Sequence, residues 1–220
     1  MKKNWFAYYK NHHGIHFSNI LLHWPYLLRL ITLQPKKVLE IGCGTADHSI
    51  FLSYIILHLK ISLLDYESQI IDNLKKKLTS KIDNYYLCDL TNKNEVKRQL
   101  NHNRYDFIYS QGLMEHFSKA QFRNIIINLI PFTKKFVFSI PSEQYPNKDF
   151  GNEILRDKKR IESILKLTNN IKFSITPYFP DIGIRTKILT VKKRKYNFFE
   201  SVHFLLFGSC HYLIEICVIS

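Results

Sequence analysis

Cysteine is sparse in this chain, and the four present, Cys43, Cys88, Cys210 and Cys217, lack metal-ligand spacing. A zinc-cluster scaffold is therefore excluded, and the thiols read as reduced packing residues of a cytoplasmic protein. The start, MKKNWFAYYKNHHG, has two lysines but none of the apolar stretch that an export signal requires. No internal repeat or low-complexity linker interrupts the sequence. The uncharged stretch Ser201–Ile214 is fourteen residues long, too short to cross a bilayer, and Glu200 and Glu215 bracket it. Acidic residues are few, 18 against 32 basic ones, so the formal net charge is +14. That balance invites a nucleic-acid partner. However, lysine outnumbers arginine 24 to 8 and is spread along the chain, as in a general lysine bias. At 220 residues and 45% hydrophobic content, one domain with a sizeable core is expected.

The most informative stretch is VLEIGCGTADH, residues 38–48. A short apolar run containing Glu40 leads into the turn Gly42-Cys43-Gly44, after which a helical pattern begins. Strand, tight turn and helix in that order build ligand sites in doubly wound sheets. The glycines allow a sharp turn and a close approach of ligand to backbone. Asp65 closes the next apolar run, ISLLD, 23 residues after Gly42, where a carboxylate can take hydrogen bonds from both ribose hydroxyls. Two nucleoside ligands fit this layout. A dinucleotide would set its pyrophosphate on the helix N-terminus. The GxGxA turn with a carboxylate before it suits instead a ligand carrying an ammonium group and a sulfonium charge, such as S-adenosylmethionine.

Two further runs follow at regular spacing, YYLCDL (85–90) and YDFIYSQGLMEHF (105–117). With VLEIGCGTA and ISLLDYESQII they make four motifs in order. On these motifs residues 36–195 resemble the class I S-adenosylmethionine-dependent methyltransferases, Rossmann-like proteins. The chain departs from the family at Ala46, where glycine is usual; alanine is small and helix-favouring and should be tolerated at a helix start.

Apolar periodicity predicts one or two aromatic-rich helices over 3–33, ended by Pro35. Strands are expected near 37–42, 60–65, 83–88, 105–110 and 135–140. Helices are expected near 46–58, 68–79, 93–101 and 114–129, with another near 154–168. Two last strands are expected at 171–179 and 184–193, joined by Pro180–Gly183. The alternation predicts an α/β, doubly wound, mostly parallel seven-stranded sheet with helices on both faces. The resemblance implies that the last strand is antiparallel. Three parts follow: an N-terminal helical lid over the substrate (1–35), the cofactor-binding domain (36–195) and an apolar C-terminal tail (196–220). The tail reads as a last helix packed on the domain; a weak peripheral membrane contact, with Lys192–Lys195 at lipid headgroups, is the alternative.

The resemblance implies S-adenosylmethionine as cofactor, S-adenosylhomocysteine as product, and no metal. Glu40 lies at the methionine end, Gly42 and Gly44 give backbone clearance, and Asp65 takes the ribose hydroxyls. Tyr66 packs on adenine, Asp89 accepts from its amino group, Leu90 offers a backbone N–H, and Gln111 borders the methionine part. His116 is the candidate base, since its ordinary pKa of about 6.5 suits proton removal near neutrality. Tyr8, Tyr9 and His13 in the lid and Tyr145 after the fifth strand are the substrate candidates. Residues 150–153, Phe-Gly-Asn-Glu, resemble a loop of small-molecule members. The segment after the fourth strand reads Ser110-Gln111-Gly112-Leu113, not the Asn/Asp-Pro-Pro-aromatic stretch of enzymes that methylate base amino groups. The expected acceptor is thus a small molecule or lipid-like compound. An RNA or protein acceptor, or a cofactor-binding scaffold without turnover, are the alternatives.

Overall fold

The computed structural model describes residues 5–9, 17–78, 82–145, 152–178, 191, 197–208 and 210–219. Five parallel strands form first: β1 (Lys37–Ile41), β2 (Lys60–Asp65), β3 (Asn84–Leu87), β4 (Phe107–Gln111) and β5 (Lys135–Pro141). β6 (Ile171–Tyr178) and β7 (His211–Val218) complete one sheet in the order β3-β2-β1-β4-β5-β7-β6. β7 runs antiparallel to both its neighbours.

The central strands are near-continuous apolar runs because helices cover both faces of the sheet. On one face lie α1 (Trp5–Tyr9), α2 (Phe17–Leu22), α3 (Trp24–Thr32), α4 (Asp47–Ile55) and α5 (Ser68–Lys77). There Tyr26, Leu27, Leu30, Leu52 and Ile70 pack on Val38, Leu63 and Tyr109. On the other face lie α6 (Lys93–Leu100), α7 (Lys119–Leu129) and α8 (Lys158–Leu165). Their Val96, Phe122, Ile126 and Ile161 pack on Leu39, Ile108, Phe136 and Phe138. Local chemistry sets the helix starts. Asn92 caps α6 by accepting from the backbone N–H groups of Asn94 and Glu95. Ser118 and Gln121 form a capping box on α7, and Asp157 caps α8.

The seventh strand corrects the sequence reading. The place between β5 and β6 is filled by His211–Val218, not by 184–193. Of 184–193 only Val191, in helical conformation, is among the described residues. The uncharged stretch 201–214 is therefore two elements, the end of α9 (Phe198–Phe207) and the start of β7, with Gly208 between them. A short apolar run does not by itself distinguish helix from buried strand, and 211–214 is buried throughout because β7 is an interior strand. Glu215, read as a charge bounding that run, accepts a two-pronged ion pair from Arg29 of α3, at 2.9 and 2.8 Å. The N-terminal helices are thereby tied to the C-terminal strand.

Candidate functional site

At the C-terminal end of β1 the backbone turns through alternating left-handed residues: Gly42 at φ 61°, Gly44 at φ 49° and Ala46 at φ 58°. Position 46 thus calls for left-handed freedom rather than helix propensity. Ala46 meets it at some strain, in a buried site where its methyl group packs in the core. A Cβ on Gly42 would stand 2.6 Å from the Leu113 side chain, and one on Gly44 2.9 Å from the Tyr9 ring. The turn is thus covered by Leu113, two residues after β4, and by Tyr9 of α1.

Asp65 ends β2 beside this turn. One of its carboxylate oxygens accepts from the Gly44 N–H at 3.2 Å, the other from the Glu67 N–H at 3.1 Å. Burial raises its pKa, and these backbone donors counter the rise. The carboxylate is thus oriented by the backbone, with further lone pairs available to hydroxyl donors.

A cavity of about 400 Å³ opens there, at the strand ends where the sheet order reverses between β1 and β4. That is where open α/β sheets bind ligands, and the volume suits a nucleoside. Gly42, Gly44, Asp65 and Tyr66 line one side. Asp89 and Leu90, after β3, line another, and Asp89 is held by the Thr91 N–H and hydroxyl at 2.9 and 2.7 Å. Burial and the neighbouring acids Glu67, Asp65 and Asp89 push the Tyr66 hydroxyl up to about 12.

One end of the cavity is formed by Trp5, Tyr9 and His116. His116 sits in a 3₁₀ turn (Met114–His116), edge-on to Trp5 with ring centres 4.8 Å apart. Its Nδ1 lies 3.2 Å from Asn152 Oδ1, within hydrogen-bond reach.

Not every sequence candidate borders this cavity. Gln111 ends β4 but is not among the lining residues. Glu40 lies behind the turn, buried, and accepts from the Ser49 hydroxyl. Burial lifts its pKa to about 8, with Asp47 and Asp65 adding to the rise and Ser49 opposing it. Tyr145 packs on His211 instead. Tyr8 lies in α1, but its side chain is outside the described residues, as is His13. Sequence reasoning missed Trp5 and Leu113. Trp5 stood among the N-terminal aromatics, but nothing in the pattern separated cavity contacts from packing.

A second polar group, also unforeseen, lies on the α3–α4 face. His23 meets both His48 and His211 edge to face, with ring centres 5.6 Å apart for His23–His48 and 5.2 Å for His23–His211. Tyr178 bonds His23 Nδ1 at 3.0 Å and also the Ser139 hydroxyl. Among the described residues, His48 Nε2 and the Tyr26 hydroxyl have no hydrogen-bond partner. Burial holds His23 well below its ordinary pKa, His48 at about 4 and His211 at about 3, so all three are neutral at pH 7. Among the described residues no cluster of His, Cys, Asp or Glu is disposed to hold a metal ion, this one included.

A glycine turn, an acid ending β2 and an acid after β3, around a nucleoside-sized cavity at the switch point, define an S-adenosylmethionine-dependent methyltransferase of class I. The sequence profile described as "Tellurite resistance protein TehB" matches residues 8–141, and the chain belongs to that family. No curated protein sequence matches it. Several solved structures share the fold. The methyltransferase in complex with the Haloferax volcanii Trm112 methyltransferase activator superposes with a TM-score of 0.74 at 10% identity, covering 100% of both chains. The methyltransferase domain of bacterial CtHen1 gives 0.65 at 14% identity, covering 92% of this chain and 100% of that one. The plantazolicin methyltransferase BpumL in complex with S-adenosylhomocysteine gives 0.62 at 13%, covering 98% and 89%.

Proposed function

We propose that the chain transfers a methyl group to a small-molecule or lipid-like acceptor that meets the cofactor at the lid end of the cavity. The observation that carries this reading is the buried Asp65 carboxylate, aligned by the Gly44 N–H inside a cavity that α1 closes. S-adenosylmethionine supplies the sulfonium methyl. Asp65 receives the ribose hydroxyls, Asp89 the adenine amino group, and the Leu90 N–H an adenine nitrogen, while Tyr66 packs on the ring. Gly42 and Gly44 let the methionine part approach the backbone. Glu40 stands behind the turn, where a nearby ammonium group draws it back to the charged form. Residues 1–35 act as the substrate cover, with Trp5 and Tyr9 excluding water. In-line displacement depends mainly on such alignment. His116 accepts the acceptor's proton when the acceptor arrives protonated.

Asp65→Ala should weaken S-adenosylhomocysteine binding about ten- to hundred-fold, since a charge-assisted bond is worth about 1.5–3 kcal/mol. Calorimetry with unchanged affinity in that variant removes the ribose assignment. Once a product screen has supplied an acceptor, His116→Ala should lower turnover by about 10²–10⁴ with cofactor affinity nearly intact. Equal loss of cofactor binding, or a rate flat across the histidine pH range, would assign His116 a purely orienting role beside Asn152 and Trp5.

The net charge of +14 supports a second reading, an RNA acceptor. Its mark is RNA binding that falls steeply with salt.

A further inference from the structure

The sheet's last hairpin is interrupted. Residues 179–210 separate β6 from β7, and α9 lies within them. The interruption leaves at Tyr178 and rejoins at His211, which pairs with Pro141 at the C-terminal end of β5. That is the end of the sheet where the cofactor cavity lies.

α9 is well formed, yet among the described residues part of its apolar surface is exposed. Asn197 Oδ1 accepts from the Glu200 N–H at 2.8 Å, and Glu200 accepts from the Asn197 N–H at 3.0 Å, a reciprocal cap. Phe198 and Phe199 are 76% and 81% exposed, and Val202 and Leu206 are exposed too. Positions 198, 199, 202 and 206 fall within an arc of about 100° on a helix, a continuous stripe about 12 Å long. None of the four belongs to either apolar core cluster. The two phenylalanine rings pack on each other, with centres 5.7 Å apart.

Charge indicates what covers the stripe. Lys192-Lys193-Arg194-Lys195 immediately precedes the helix in sequence, outside the described residues, and the whole chain carries +14. The one acidic residue of α9, Glu200, is engaged in the cap. Two copies of so basic a chain repel, which disfavours self-association. A polybasic run joined to an aromatic stripe combines the two signals that hold a protein reversibly at an anionic membrane surface. We propose that α9 docks the enzyme on an anionic lipid bilayer, with the helix lying in the interface. The cavity end of the sheet is then held near the lipid.

The test is sedimentation of the full-length protein with vesicles of phosphatidylcholine alone and of phosphatidylcholine mixed with phosphatidylserine, at low and high salt. Sedimentation is expected with the mixed vesicles at low salt, weaker at high salt, and absent with phosphatidylcholine. The double variant Phe198→Ser/Phe199→Ser should reduce partitioning at least ten-fold while keeping the thermal midpoint. Independently of that variant's folding, Phe198→Trp should show a blue-shifted emission change on adding mixed vesicles. Three results would each overturn the proposal: no sedimentation with mixed vesicles at low salt, undiminished binding by a folded double variant, or emission from the Phe198→Trp variant that is indifferent to vesicles. A doubled mass in light scattering that the double variant abolishes, without vesicle binding, would assign the stripe to a second copy instead.

Discussion

Truncation after Gly208 is expected to abolish folding, although it removes only the last residues and leaves α9 in place. β7 pairs with β5 from Lys135↔Cys217 to Pro141↔His211 and with β6 from Ile171↔Val218 to Tyr178↔His211. Its removal leaves β6 without a sheet partner and uncovers the β5 edge. Ile214, Ile216 and Tyr212 leave the core with it. Each isoleucine contributes about 1.5–3 kcal/mol. Together with the lost ladder, that is comparable to the whole stability of a domain, about 5–15 kcal/mol. The Arg29–Glu215 pair, which anchors α3, is lost as well. Circular dichroism and soluble yield of the truncated chain are the readout. A folded product with the wild-type thermal midpoint would show β7 to be dispensable. Substitutions of the exposed Phe198 and Phe199 in α9, by contrast, should leave the midpoint unchanged.

The second large effect is loss of stability on acidification. His48 and His211 keep pKa values of about 4 and 3 in the folded chain, against 6.5 ordinarily, because burial disfavours their charged form; His23 shifts in the same direction. Between pH 6.5 and the folded values the unfolded chain binds more protons, so stability falls as pH falls through that window. At pH 4.5 the shifts of His48 and His211 amount to about 5 kcal/mol on the scale of 1.36 kcal/mol per unit. Glu40 opposes this. Its folded pKa of about 8 lies above 4.5, so it favours the folded state most at low pH and loses that contribution as pH rises through 8. From pH 7 to 4.5 it returns about 3 kcal/mol on the same scale. Asp65, whose pKa burial also raises, acts in the same direction as Glu40; the net expectation is a fall of about 2 kcal/mol, or roughly 4–8 °C in midpoint for a chain of this size. His48→Gln should flatten the acid side of the profile, and Glu40→Gln should raise the midpoint at pH 8 but not at 4.5. A thermal midpoint constant from pH 6.5 to 4.5 would show the imidazoles to be solvated.

The cavity at the strand ends was legible in the sequence because its parts are local. Gly42, Gly44, Asp65 and Asp89 each sit at the end of a strand that ends in a turn, so strand order and spacing bring them together. The N-terminal helices were legible only as a segment: Tyr9 meets Gly44, but Trp5 packs on His116 through a contact no periodicity encodes. Ala46 shows a further limit, since helix propensity was the wrong test for a residue at φ 58°.

By itself, the sequence determined the class of fold, the parallel strands β1–β5 and the glycine turn with its acids. These follow from short-range patterns of apolar runs, turn residues and helix caps. Only the tertiary structure decided which segment fills the place beside β5. An apolar stretch becomes a strand when two edges need a partner, and that need is set by residues more than thirty positions away. The gathering of His23, His48 and His211 from the start of α3, from α4 and from β7 was decided in the same way. Their neutrality is a property of burial, which exists only once the sheet and both helices have closed around them.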